Sequence, residues 1–318
     1  MKDRFGREIE YLRISITQNC NLKCLYCSPD GSSGEKCASA LKPEEFERIV
    51  GAMVRSGIRN VRITGGEPLV RQDVCEIIER ISKIKGIEDI SMTTNGINLD
   101  RMAEKLKSAG LKRLNVSLDS LKEDRFEYIT GGGRLENTLD GIQKALALGM
   151  GPVKINTVLI KGVNDDEIDD FIQLTKDSPL EARFIELMPI GSFGECNSDK
   201  IVYNSDIINA RPELILCSDN LRSTPASYYR IEGYKGKVGF ISPMSHKFCS
   251  SCNRIRLTFD GKIRPCLGNN GEVDVADLLR QNPDGLDEFI QKAIYEKPAG
   301  HNFECSFSSK RNMSMIGG

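Results

Sequence analysis

Cys20, Cys24 and Cys27 stand in the stretch QNCNLKCLYC, directly after an apolar, strand-like run. Their C-x3-C-x2-C spacing puts three thiolates on one short loop, enough to hold three corners of a cubane 4Fe–4S cluster and leave the fourth iron without a protein ligand. That open iron is a place for chemistry. Taken alone, a C-x-x-C pair also suits a redox dithiol or half of a zinc site. A second constellation, Cys249, Cys252 and Cys266 in FCSSCNRIRLTFDGKIRPCLG, repeats the count of three in a C-x2-C-x13-C arrangement. A structural zinc site normally closes with four ligands, and here His246, His301 or Cys305 would have to complete it. Three thiolates favour a second 4Fe–4S cluster with an open iron, and the interleaved Arg254 and Arg256 suggest that something anionic approaches it.

Elements that could position these loops are visible in the periodicity. Short β-branched or apolar runs near 9–16, 58–64, 87–93, 111–118, 153–160 and 181–188 read as strands. Between them, segments near 43–56, 72–85, 99–109, 134–149 and 165–177 have helical period, with Pro43 in the first turn of the first, where its missing N–H costs nothing. About six βα repeats predict an α/β fold: a parallel sheet with right-handed crossovers, curled into a partial barrel. Such sheets place ligands at the carboxyl ends of their strands. The first cysteine loop follows the first strand and belongs at that end. After about 190 Gly, Ser, Asn and Pro become frequent. The expectation is therefore a barrel over 1–190 and an irregular extension over 191–318 that covers the barrel mouth and carries the second cysteine set.

Composition excludes several classes. The 318 residues, 39% of them hydrophobic, suffice for a sizeable core. A net charge of -1, from 44 basic and 45 acidic residues, gives no whole-molecule attraction to nucleic acid or an anionic membrane. The start MKDRFGREIEYL has no signal-peptide core, and no apolar run approaches the roughly 20 residues of a spanning helix, so a cytoplasmic protein is expected. Eleven cysteines in such a chain point to metal ligation rather than disulfides. Cys37, Cys75, Cys196, Cys217 and Cys305 fit no ligand set and read as small buried hydrophobes.

Taken together, DRFGREIEYLRISITQNCNLKCLYC, VRITGGEPLVR, TTNG, FCSSCNRIRLTFDGKIRPCLG and the terminal Gly317-Gly318 closely resemble the GTP 3',8-cyclase (MoaA) family of radical S-adenosylmethionine (SAM) enzymes, from Asp3 to Gly318. The resemblance implies conversion of GTP to 3',8-cyclo-7,8-dihydro-GTP, the first step of molybdenum-cofactor biosynthesis, with SAM and two 4Fe–4S clusters as cofactors. It gives Cys20, Cys24 and Cys27 to the SAM cluster, and Cys249, Cys252 and Cys266 to a cluster that binds the purine of GTP. It also implies an external electron donor and hand-over of the product to cyclic pyranopterin monophosphate synthase, and is compatible with a homodimer.

For SAM the resemblance selects Tyr26, Gly66, Glu67, Ser117 and Met188. Glycines in GGEP permit close backbone approach, and the Glu67 carboxylate can accept from an amino group. For GTP it selects Arg13, Arg62, Thr93, Lys154, Arg183, Arg254 and Arg256. Arginine suits phosphate because its planar fork donates two bonds at once. Arg13, Arg62 and Lys154 each fall inside an expected strand, where a charge is costly unless it faces a ligand. Two residues before Arg62 the family often has lysine; this chain has Asn60. The catalytic set carries over to Arg13, Gly317 and Gly318. Without a Cβ the tail can thread into a tight site, where its terminal carboxylate would meet the phosphate arginines, Arg13 among them.

Overall fold

The computed structural model describes residues 1–29, 31, 40–218, 224–301, 303, 309 and 311–317. Its first half alternates as expected: β1 Tyr11–Ser15, α1 Pro43–Arg55, β2 Asn60–Thr64, α2 Val74–Ser82, β3 Asp89–Thr94, α3 Leu99–Ser108, β4 Arg113–Ser117, α4 Glu123–Thr130, α5 Leu135–Ala147, β5 Val153–Leu159, α6 Ile168–Asp177 and β6 Glu181–Glu186. The unexpected α4 is closed by Gly131, whose φ of 67° is left-handed and cheap only for glycine. Strands β1 to β6 pair parallel in sequence order, giving the partial barrel.

The segment after Glu186 is more regular than its glycine and proline content suggests. It supplies α7 Gly191–Cys196, α8 Asn204–Asn209, β7 Ile215–Leu216, β8 Ala226–Arg230, β9 Lys237–Ile241, β10 Arg254–Leu257, β11 Lys262–Arg264, β12 Val273–Asp274, α9 Val275–Gln281, α10 Leu286–Tyr295 and α11 Met313–Ile316. β9 joins β6 in parallel and β10 joins β1 in parallel, so the open sheet runs β12-β11-β10-β1-β2-β3-β4-β5-β6-β9-β8-β7. An unclosed barrel leaves two edges of unpaired N–H and C=O groups, and these strands satisfy both.

Side chains of a strand alternate between faces, and here the two faces differ in chemistry. Leu12, Ile14, Val61, Ile63, Val153 and Ile155 are buried against the helices. Arg13, Arg62 and Lys154 occupy the alternate positions, on the concave face. A parallel sheet with apolar residues on both faces would read as continuous hydrophobic runs; this one alternates because its interior is polar. The junction of β6 with β9 is packed by Phe184, whose ring lies 6.3 Å from Phe171 edge-on and 5.7 Å from Phe240. Phe184→Ala should cost about 3–5 kcal/mol through the cavity it leaves, read as a fall in the urea midpoint. An unchanged midpoint would mean that this junction is not held by aromatic packing.

Candidate active site

The first cysteine loop is fastened to the end of α4, where Lys23 and Leu25 donate backbone N–H groups to Thr130 and Ile129 at 2.8 and 3.0 Å. Within the loop Cys27 N–H donates to the Cys24 carbonyl at 3.0 Å. Burial raises the Cys24 thiol well above its ordinary value, with Cys27, Asp119 and Cys20 adding to it. Burial and Cys20 push Cys27 up to about 12. Cys20, Cys24 and Cys27 are each half-buried and share one loop, and three such thiolates suit a cationic metal core that offsets their charge. Among the described residues no three His, Cys, Asp or Glu converge on a single ion. A cubane takes each thiolate on a different iron, and a loop of spaced thiols fits that demand.

Tyr26, between the last two of these cysteines, donates its phenol hydrogen to Asp119 at 2.7 Å. The other oxygen of Asp119 accepts from the Val158 N–H at 2.8 Å, so the pair pins the loop to β5. Burial pushes the Asp119 carboxyl up to about 6 against those two hydrogen bonds. Gly66 is close to the loop backbone: a Cβ there would come within 2.6 Å of the Gln18 carbonyl and nearer still to that of Asn19. Its bareness serves the approach of the cysteine loop itself. Glu67 accepts from Leu69 N–H and Thr94 Oγ1 on one oxygen and from Asn95 N–H on the other. It therefore ties the end of β2 to the end of β3, and burial raises its carboxyl to about 7 against those bonds. Ser117 is the last residue of β4, and Met188 lies two residues past β6, half-buried.

On the concave face the strand register aligns arginines. Arg256 of β10, Arg13 of β1 and Arg62 of β2 are paired in one row. Burial lowers the Arg13 guanidinium well below its ordinary value, and Arg256, Arg62 and Arg254 lower it further. Burial also brings Arg256 down to about 10. Arg62 donates to Ser91 at 3.3 Å and lies over the Tyr11 ring. Across the barrel, Lys154 donates to Glu181 and, at 2.8 Å, to the Tyr228 hydroxyl. Burial lowers Lys154 to about 8, helped by Arg183 and Arg113 against the pull of Glu181. Arg183 donates to Asn156 at 2.5 Å, while its Nε and the Thr93 hydroxyl are buried without a partner. Orphaned donors beside clustered cations are what an anion-binding interior leaves open. Asn60 opens β2 one strand over from Tyr11.

Cys249 opens a single 3-10 turn just before β10, Cys252 closes it, and Cys266 follows β11. Because β10 runs parallel to β1, this set lies at the opposite end of the strands from Cys20, one strand length or about 15 Å away. Burial pushes the Cys252 thiol up, but Lys297, Arg254 and Arg7 outweigh it and the net shift is downward. His246 is exposed, and Cys37, Cys305 and Gly318 lie outside the described residues. Among the described unassigned cysteines, Cys217 is buried, Cys75 half-buried and Cys196 exposed, so the expectation of buried small hydrophobes fails for Cys196.

The tail turns back over the carboxyl ends of β1 and β2. Gly317 has a φ of 66°, and a Cβ on it would come within 2.6 Å of the Thr64 side chain. Arg256 donates to the carbonyls of Ile316, at 3.1 Å, and Gly317. The Ser314 N–H reaches the Cys27 thiol. Asp119 and Tyr228 are absent from the sequence reading. Asp119 had a readable signal, a carboxylate two residues past a strand end in a parallel sheet. Tyr228 had none, being one of two tyrosines in a short polar strand.

Two family models cover most of the chain: the radical SAM superfamily matches residues 14–175, and Molybdenum Cofactor Synthesis C matches 180–303. GTP 3',8-cyclases of Alkaliphilus oremlandii (strain OhILAs) and Clostridium botulinum (strain Langeland) are 49% and 46% identical, each alignment covering 100% of this chain and 100% of the relative. Among solved structures, Streptococcus suis SuiB bound to S-adenosylmethionine superposes with a TM-score of 0.58 at 17% identity, covering 89% of this chain and 68% of that one. A histidine-tagged anSMEcpe with bound AdoMet gives 0.56 at 14%, covering 92% and 82%. These two likenesses concern the fold.

Gly66→Ala should drive the Gln18–Asn19 backbone away and take Cys20 with it. Iron and sulfide bound after anaerobic reconstitution should then fall by about half, the loss of one cubane of two. Undiminished iron would show that the loop absorbs the methyl group.

Proposed function

The chain belongs to the GTP 3',8-cyclase family of radical SAM enzymes, and from that premise we propose how its own residues divide the work of converting GTP to (8S)-3',8-cyclo-7,8-dihydroguanosine 5'-triphosphate. That reaction opens molybdenum cofactor biosynthesis. When bound, the 4Fe–4S clusters and SAM supply the electron and the 5'-deoxyadenosyl radical on which the cyclisation depends. Cys20, Cys24 and Cys27 hold the cluster that receives SAM. Tyr26, fixed by Asp119, together with Gly66, Ser117 and Met188, shapes the SAM seat. Glu67, already engaged by three donors of its own chain, has one acceptor direction left for an amino group.

Cys249, Cys252 and Cys266 hold the cluster that takes the guanine. The observation that carries the reading is the row Arg256–Arg13–Arg62, which runs across the concave face between the two cysteine sets. A triphosphate with about four negative charges relieves that concentration of guanidiniums, and Arg254, Lys154, Arg183 and Thr93 extend the grip. Fixing base and triphosphate at once leaves the ribose in a single place, the condition for selective attack at one carbon. Gly317 closes the seat, with Arg256 holding the tail; the same part falls to Gly318 by the family resemblance alone.

Among the described residues no helix is long and apolar enough to cross a membrane. An external electron donor, hand-over to cyclic pyranopterin monophosphate synthase, a homodimer and a cytoplasmic setting rest on the family alone.

Anaerobic assay with SAM, GTP and a strong reductant tests the division of labour. Cys24→Ala should abolish 5'-deoxyadenosine formation, whereas Cys252→Ala should retain some of it while cyclised GTP disappears. Near wild-type product from Cys252→Ala would remove the second set from the substrate site. A pH series addresses Lys154, which is charged below about 8 in the free enzyme and neutral above. GTP affinity should weaken roughly tenfold between about pH 7 and 9, as one charge-assisted contact is lost, and Lys154→Met should flatten that dependence. A wild-type affinity constant over this window would exclude Lys154 from the triphosphate grip.

A further inference from the structure

The buried pair Asp3–Arg7 takes no part in the division of labour above, yet its side chains are only 0% and 5% exposed. Asp3 is fully engaged: one oxygen accepts the backbone N–H groups of Phe5 and Arg7, each at 2.9 Å, and the other accepts Arg7 Nε at 2.7 Å. Arg7 Nη2 also pairs with that second oxygen at 2.6 Å, and Nη1 and Nη2 reach three carbonyls, Cys249 at 2.9 Å, Ala299 at 2.9 Å and Pro298 at 2.6 Å. Next to that segment, Lys297 is 2% exposed and donates to the Pro265 carbonyl at 2.6 Å, one residue before Cys266. Gly300, at the other end of the segment, is bare where a Cβ would stand 3.5 Å from the Cys249 sulfur.

An unbroken path therefore runs from Cys249 through Arg7 to 297–299 and through Lys297 to Cys266. Cys249 and Cys266 are 17 residues apart in sequence and sit on separate turns, so the β10–β11 hairpin alone does not fix their separation. A buried ion pair is an expensive way to gain stability, since well-packed apolar groups do as well. Its worth is directional: a guanidinium held by a carboxylate aims its other donors in fixed directions. By contrast, the charges around the first set are the carboxylates Asp119 and Glu67.

We infer that Arg7, oriented by Asp3 and joined to Lys297 through the 297–299 segment, is a positioning residue that sets the spacing of the second cysteine set. This rests on the assignment of a cluster to Cys249, Cys252 and Cys266. It gives the N-terminal segment a task in a site formed by the other end of the chain.

The test is iron and sulfide analysis with electron paramagnetic resonance of the anaerobically reconstituted, reduced protein, with and without SAM. Arg7→Met should bring iron from about eight to about four per chain while the SAM-responsive signal of the first cluster persists. Arg7→Lys keeps the charge but not the fork, and serves if the first variant does not fold; it should alter the second signal and spare the first. Full iron with both signals unchanged in either variant, or loss of both clusters together, overturns the inference. Cys252→Ser, run alongside, separates the two claims. If it also keeps full iron, the assignment of the second cluster fails; if it loses four while Arg7→Met loses none, the clasp alone fails.

Discussion

Three guanidiniums in register on adjacent parallel strands are the constraint around which this molecule is built. Neighbouring strands stand about 4.8 Å apart, so Arg256, Arg13 and Arg62 are brought far closer than like charges would settle in water. Burial adds to the cost: the Arg13 guanidinium is lowered by burial and by Arg256 and Arg62, and Arg256 is lowered by burial, with Arg254 and Arg264 adding to it. The fold tolerates this because the opposite face of the same strands is packed with Leu12, Ile14, Val61 and Ile63 against the helices. One face supplies the stability that the other consumes. Such an interior suits the polyanion proposed for it, whose binding would return what folding gave up.

The same strands also fix the distance between the two cysteine sets. Because β10 runs parallel to β1, the two cysteine sets are held at opposite ends of a common pair of strands, with the arginine row between them. This geometry depends on the C-terminal half completing the sheet rather than resting on it. Arg254 and Arg256 can face the same interior as Arg13 only because β10 is a member of the barrel wall. The tail adds a second dependence, since Ser314 touches Cys27 and Arg256 holds Gly317. Cysteine loop, arginine row and tail thus share contacts.

Much of this was legible in the sequence. Both cysteine sets, the six βα units and the placing of Arg13, Arg62 and Lys154 inside strands all follow from spacing and alternation. The strand β10 could have been read too, for RIRL alternates charged and apolar residues with the period of a strand, but the Gly- and Ser-rich surroundings hid it. Its pairing with β1 is a contact over more than 240 residues, and no local signal encodes that. Glu67 illustrates another limit: its motif advertises a ligand contact, whereas its three hydrogen bonds within the chain appear only once β2 and β3 are side by side. Arg7 belongs to the same class, since its partners come from residues 249 and 298–299.

The central claim, that the arginine row exists for the triphosphate, is tested most directly by equilibrium binding of GTP and of guanosine to the anaerobically reconstituted enzyme, with Arg62→Met measured in parallel. Two or more charge-assisted contacts predict that wild-type protein binds GTP at least about a hundredfold more tightly than guanosine, and that Arg62→Met narrows this ratio while leaving guanosine affinity unchanged. Equal affinity of the wild-type enzyme for both ligands would contradict the account.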